Sequence, residues 1–123
     1  MNEDAILKHI NVKVVGYDSK YQLYFTSADV FWFLDRNDHR LKAEGGFDMF
    51  TYMVADALEK STLVEKLKDK NIVVFITDGK YPSYSFIGVY HLDQAFTEFS
   101  GNVGIEAHVP LRFKRVQDFY ESE

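Results

Sequence analysis

The chain has 123 residues, 46% of them hydrophobic, with 11 Phe, 8 Tyr and one Trp, and a net charge of −5. That length suits one domain able to bury a single core, and so many aromatic residues exclude a disordered chain. The absence of cysteine excludes disulfides, thiolate metal sites and a thiol nucleophile. The acidic balance argues against a general nucleic-acid binder.

The first segment, "MNEDAILKHI", opens with Glu3 and Asp4, so no signal peptide is expected. No apolar run approaches the length that spans a bilayer, and a cytoplasmic protein with no membrane association is expected. In "INVKVVGY", Ile10, Val12 and Val14 alternate with Asn11 and Lys13, the period of a strand. "YQLYF" follows a turn-like "DSK", which predicts a hairpin over residues 10–25. Thr26-Ser27-Ala28-Asp29 has the form of a capping box and predicts a short apolar helix, "DVFWFL". In "FDMFTYMVADALEK", Phe47, Phe50, Val54, Ala57 and Leu58 share one face at helical spacing, the clearest helix signal in the chain. Thr62 and Glu65 fit a second capping box, for a helix over "LVEKLKDK".

"NIVVFITD" is a β-branched run and reads as a buried strand, which "DGKYPS" turns into "YSFIGVYHLD". Residues 93–107 admit either a helical turn or a short strand before a loop at Gly101 and Gly104. "VPLRFKRV" is a strand with Val109, Leu111 and Phe113 on one side and Arg112 and Lys114 on the other; "QDFYESE" is a short helix or a tail. The expected fold is a single α+β domain: a mostly antiparallel sheet of two hairpins and a C-terminal strand, packed against two or three helices.

Gly88 raises a specific question. Strict alternation puts Tyr84, Phe86, Gly88, Tyr90 and Leu92 on one face. The expectation is that the helix bearing Phe50 and Val54 crosses over the missing side chain. The alternatives are a bulge, or a gap between Phe86 and Tyr90 that admits a base or a partner's side chain.

No phosphate loop, nucleophile elbow or H-E-x-x-H motif is present. "DRNDHR", with Asp35, Asp38 and His39, matches no established metal-ligand spacing and reads as a solvated loop. "ITDGK" places Asp78 and Lys80 at a strand end, loosely like the acid-x-Lys element of metal-dependent nucleases, but reads as a turn. A non-catalytic protein without cofactor or metal is expected. Eight tyrosines are many for one core, because each buried hydroxyl needs a partner. Tyr17, Tyr21, Tyr81, Tyr84 and Tyr90 are the candidate partner-binding residues, the partner being a protein. The alternative partner is nucleic acid, contacted by Arg112, Lys114, Arg115 and His108. Against this stands the reading of the last strand as an edge kept from aggregating by its charge.

The segments "YSFIGVYHLD" and "PLRFKRVQDFY" resemble an element of bacterial restriction-type and HNH-linked proteins, an F-x-G-V-Y/F strand followed by a basic K-R-[IV] strand. The matching residues are Phe86, Gly88, Val89, Tyr90, Lys114, Arg115 and Val116. The same region is broadly similar to PUA-like reader domains, in which a curved sheet presents aromatic residues to a nucleotide. That resemblance implies a nucleic-acid reader. Composition and size suit a small bacterial or phage accessory protein, including an inhibitor of a host defence enzyme.

Overall fold

The computed structural model describes residues 2–79, 83–95 and 109–121. Helix α1 (Glu3–His9) precedes strands β1 (Gly16–Asp18), β2 (Leu23–Phe25), β3 (Asp29–Asp35), β4 (Leu41–Glu44) and β5 (Met49–Val54). Helix α2 (Ala57–Leu67) then leads to β6 (Asn71–Thr77), β7 (Ser85–Leu92) and β8 (Val109–Gln117). The strands form one sheet of order β1-β2-β3-β6-β7-β8-β5-β4. Only β3 and β6 pair in parallel; every other neighbouring pair is antiparallel. The α+β class holds, with a larger sheet than the two hairpins and one strand expected. Among the described residues no helix is long and apolar enough to cross a membrane.

The sheet is strongly curved. Trp32 of β3 meets Phe50 and Tyr52 of β5 at ring-centroid distances of 5.8 and 5.0 Å, although three strands lie between β3 and β5. The concave side holds the main core: Leu23, Trp32, Phe50, Tyr52, Tyr90 and Phe113, closed by Leu63 and Leu67 of α2. The convex side holds Phe31, Phe33, Val73, Phe75 and Val89 under Ile6 and Leu7 of α1.

Two of the expected helices are strands. "DVFWFL" is β3, buried on both faces, and such strands read as continuous apolar runs without alternation. The Thr26 hydroxyl does accept from the Asp29 amide at 2.9 Å, but the turn it stabilises leads into this strand. In "FDMFTYMV" the burial alternates residue by residue, giving β5. The i, i+4 spacing of Phe50 and Val54 belongs to the strand period as well as the helical one. The true helix begins at Ala57, where the Asp56 carboxylate accepts from the Glu59 amide at 2.8 Å. Thr62 therefore lies inside α2, its hydroxyl donating to the Leu58 carbonyl, and does not cap a second helix.

Near the N-terminus the expected strand from Ile10 starts only at Gly16. Helix α1 precedes it, capped by Asn2 and left through Asn11 in the left-handed conformation (φ 57°). Strands β6, β7 and β8 lie where expected, and residues 118–121 after β8 are not helical. Strand β8 is interior, between β7 and β5, so its charges do not protect an edge. Most of residues 93–107 lies outside the described residues.

At Gly88 neither the crossing helix nor an open gap is present. The β6–β7 register shifts between Val74 and Phe75, so that Ile87 and Gly88 together form a bulge (Gly88 φ 142°). The extra residue breaks the alternation: Tyr84 and Phe86 join the convex cluster, whereas Ile87, Tyr90 and Leu92 belong to the concave one. The Arg115 side chain covers the place of the missing Cβ.

Candidate functional site

Cross-strand register sets Tyr17 opposite Tyr24, Tyr24 opposite Phe31, and Phe33 opposite Phe75. These pairs build an aromatic band across the convex face. Tyr17 lies on Tyr24 at 4.5 Å, Tyr24 stands edge-on to Phe33 at 5.5 Å, and Tyr84 stands edge-on to Phe33 from another side at 5.1 Å. Phe33 in turn stacks on Phe75 at 5.2 Å. Helix α1 covers the middle of the band, and its rim stays open: Tyr17 is 50% exposed, and Tyr24 and Tyr84 are partly so. Val15, which runs into β1, is 65% exposed.

The electrostatic surroundings of this rim are acidic. Burial, followed by the Glu3 carboxylate of α1, raises the hydroxyl pKa of Tyr24 and of Tyr84 above the usual phenol value, and Asp35 adds to the effect at Tyr84.

The other candidate tyrosines have different roles. Tyr21 is 6% exposed, with its ring edge-on to Tyr52 at 6.1 Å. Tyr90 is fully buried, and its hydroxyl donates to the Phe47 carbonyl. Both are core residues, and the Tyr90 hydroxyl finds its acceptor inside the fold. Tyr81 lies outside the described residues, as do His108 and Lys80.

Tyr21 and Tyr52 join the two margins of the sheet through side chains. Arg40 donates two hydrogen bonds to Asp38, at 3.1 and 2.9 Å, and lies over the Tyr52 ring at 5.0 Å. Lys20 pairs with Glu59 of α2 at 3.0 Å, and Lys66 of α2 with Asp18 at 2.7 Å. Burial pushes the Asp38 and Asp18 carboxyls up, but Arg40 and Lys66 respectively outweigh it and hold them below the ordinary range. The Tyr21 hydroxyl, then Lys20, lower Glu59. A carboxylate with a lowered folded pKa stabilises the fold above its unfolded pKa and loses that contribution as pH falls through the folded value. The melting temperature is therefore expected to drop as pH falls below about 4, and Asp38→Asn to flatten part of that drop. Melting curves of both proteins across the acid range check this; parallel curves would count against the network.

The basic residues do not assemble as a row. Arg112 and Lys114 point away from the concave core, and Lys114 is 3.5 Å from Asp93. Arg115 faces the other way: it bonds the Asp48 carboxylate and donates to the Ile87 carbonyl at 3.1 Å. It therefore serves the bulge.

Asp35 and Asp78 come to the adjacent ends of the parallel strands β3 and β6, where Asn37 donates to the Asp78 carbonyl. Among the described residues no three acidic or histidine side chains gather as a metal-binding group. Tyr24, Phe33 and Tyr52 take part in these ring contacts but are not among the candidate residues. The alternation of "YQLYF" points to Tyr24, whereas Phe33 and Tyr52 were obscured by the two helices expected there. No protein-family model matches the chain, and neither a curated protein nor a solved structure matches it.

Proposed function

We propose that this chain is a non-catalytic binding module that docks a protein partner on the tyrosine rim of its convex face. The observation that carries the reading is the half-exposed Tyr17, its ring tilted against that of Tyr24, close to the exposed Val15. Large, stiff rings with polar tips suit a contact surface, since little side-chain entropy is lost when they are covered. The band beneath them is locked by ring contacts in the fold, so the surface is organised before any partner arrives. Nearby Glu3 makes the rim a poor seat for phosphates, which favours protein over nucleic acid.

Affinity capture from a lysate treated with nuclease tests this. Tyr17→Ala is expected to abolish retention of the partner while lowering stability by no more than about 1 kcal/mol, as the side chain is half exposed. Retention unaffected by Tyr17→Ala would sink the rim as the docking site. Retention lost on nuclease treatment of the wild-type protein would shift the assignment to a nucleic-acid reader working through β8.

A further inference from the structure

Where β3 ends, the tyrosine rim runs into a cleft of about 250 Å3. Phe33, Tyr84, Tyr21 and Tyr52 line it together with Asp35, Asp38, Lys20 and Arg40, and of the four aromatic residues Tyr84 alone is more than slightly exposed. Ring faces and carboxylates are both groups that attract cations. The chain already uses this chemistry here: Lys20 lies 5.3 Å from the centre of the Tyr21 ring, and Arg40 lies 5.0 Å from that of Tyr52. Those two cations have their own carboxylates, Glu59 and Asp38.

Asp35 differs. It is exposed, it accepts the Asn37 amide at 2.8 Å, and it forms no ion pair with any described residue. Tyr84, which lines the same cleft, likewise carries no cation among the described residues. Two rings of the cleft thus already hold a carboxylate-paired cation, whereas Tyr84 and Asp35 are a ring and a carboxylate without one among the described residues. Its volume falls below the roughly 300–1,000 Å3 usual for small-molecule sites, and it suits a single extended side chain better. With a net charge of −5 on the chain, long-range attraction favours a basic partner.

We propose that this cleft receives a lysine or arginine side chain of the docked protein, its head group at Asp35 and its stem along Tyr84. This rests on the rim's being the docking surface and specifies the partner's chemistry there. The probes are N-acetyl-arginine amide and N-acetyl-lysine amide, titrated into the full chain and followed by amide-resolved NMR, with N-acetyl-glutamine amide as the neutral control. Saturable shifts at Phe33–Asp35 and Tyr84 are expected for the cationic probes alone. Asp35→Asn, which keeps an oxygen for the Asn37 amide, is expected to weaken their binding about fivefold or more, and Tyr84→Leu by a similar factor.

Equal behaviour of cationic and neutral probes, or unchanged affinity in Asp35→Asn, overturns the proposal. If that happens while Tyr17→Ala still abolishes capture, the docking rim stands and only the cation cleft falls. If the cationic probes bind in an Asp35-dependent way while Tyr17→Ala leaves capture intact, the cleft's cation chemistry stands and the rim reading falls.

Discussion

Gly88→Val is expected to lower stability by about 2–6 kcal/mol. A Cβ at this position would sit 2.5 Å from Cδ of Arg115, and 3.0 Å from both its Cγ and the Gln117 carbonyl. The backbone φ of 142° is one that side-chain-bearing residues rarely adopt. Holding such a residue there costs about 1–3 kcal/mol, and forcing atoms into a filled space costs about 1–3 kcal/mol more. Arg115 cannot withdraw freely, because its guanidinium is bonded to the Ile87 carbonyl and the Asp48 carboxylate, and its amide to the Asp48 carbonyl at 2.9 Å. The combined cost is a large part of the roughly 5–15 kcal/mol that holds a domain together.

Circular dichroism and urea titration of Gly88→Ala, Arg115→Ala and the double variant separate the contributions. Arg115→Ala removes the side-chain clash but neither the φ strain nor the Gln117 carbonyl. The double variant is therefore expected to be more stable than the sum of the single effects by about 1 kcal/mol or more. A normally stable Gly88→Val protein would mean that β7 runs without a bulge and that Arg115 lies elsewhere.

Trp32→Ala is expected to lower stability by about 3–5 kcal/mol through lost packing, with about 1–3 kcal/mol more for the polar group left unpaired. Trp32 is fully buried on the concave side, in ring contact with Phe50, Tyr52 and Phe113. Its indole N–H donates to the Tyr21 carbonyl at 3.0 Å. Removing it therefore opens the core and frees the turn that carries Tyr21, a wall of the cation cleft. Trp32→Phe, which keeps most of the volume, is expected to lose only about 1–3 kcal/mol. Chemical denaturation followed by circular dichroism measures both, since the only tryptophan signal is itself removed. A Trp32→Ala cost below about 1 kcal/mol would mean that β5 does not fold over β3.

Both variants act where the local pattern was least informative. Trp32 lies in "DVFWFL", whose unbroken apolar character arises because β3 is covered on one face by the concave core and on the other by α1. No periodicity survives in a strand with two buried faces, so a short helix and a central strand look alike. In "FDMFTYMV" the alternation was present, but Phe50 and Val54 satisfy both periods, and only pairing with β4 and β8 decides between them. Which tyrosines stay exposed was equally non-local. Tyr17, Tyr21 and Tyr90 have the same chemistry, yet one is half exposed and two are core, according to what the curved sheet lays over each.

Composition and local pattern thus carried the α+β class, the aromatic core, the strands β6, β7 and β8, and the hairpins on either side of Gln22 and Gly79. Each of these depends on residues within a few positions of one another, through β-branching, alternation or turn chemistry. The curvature of the sheet, the bulge at Gly88 under Arg115, and the convergence of Phe33, Asp35 and Tyr84 depend on contacts between distant segments. Gly88 and Arg115 are joined by β7–β8 pairing, and Asp35 comes beside Tyr84 because β3 adds in parallel to the β6–β7 hairpin. Such pairings are selected by burial of the whole sheet, a global free energy to which no short stretch of sequence gives access.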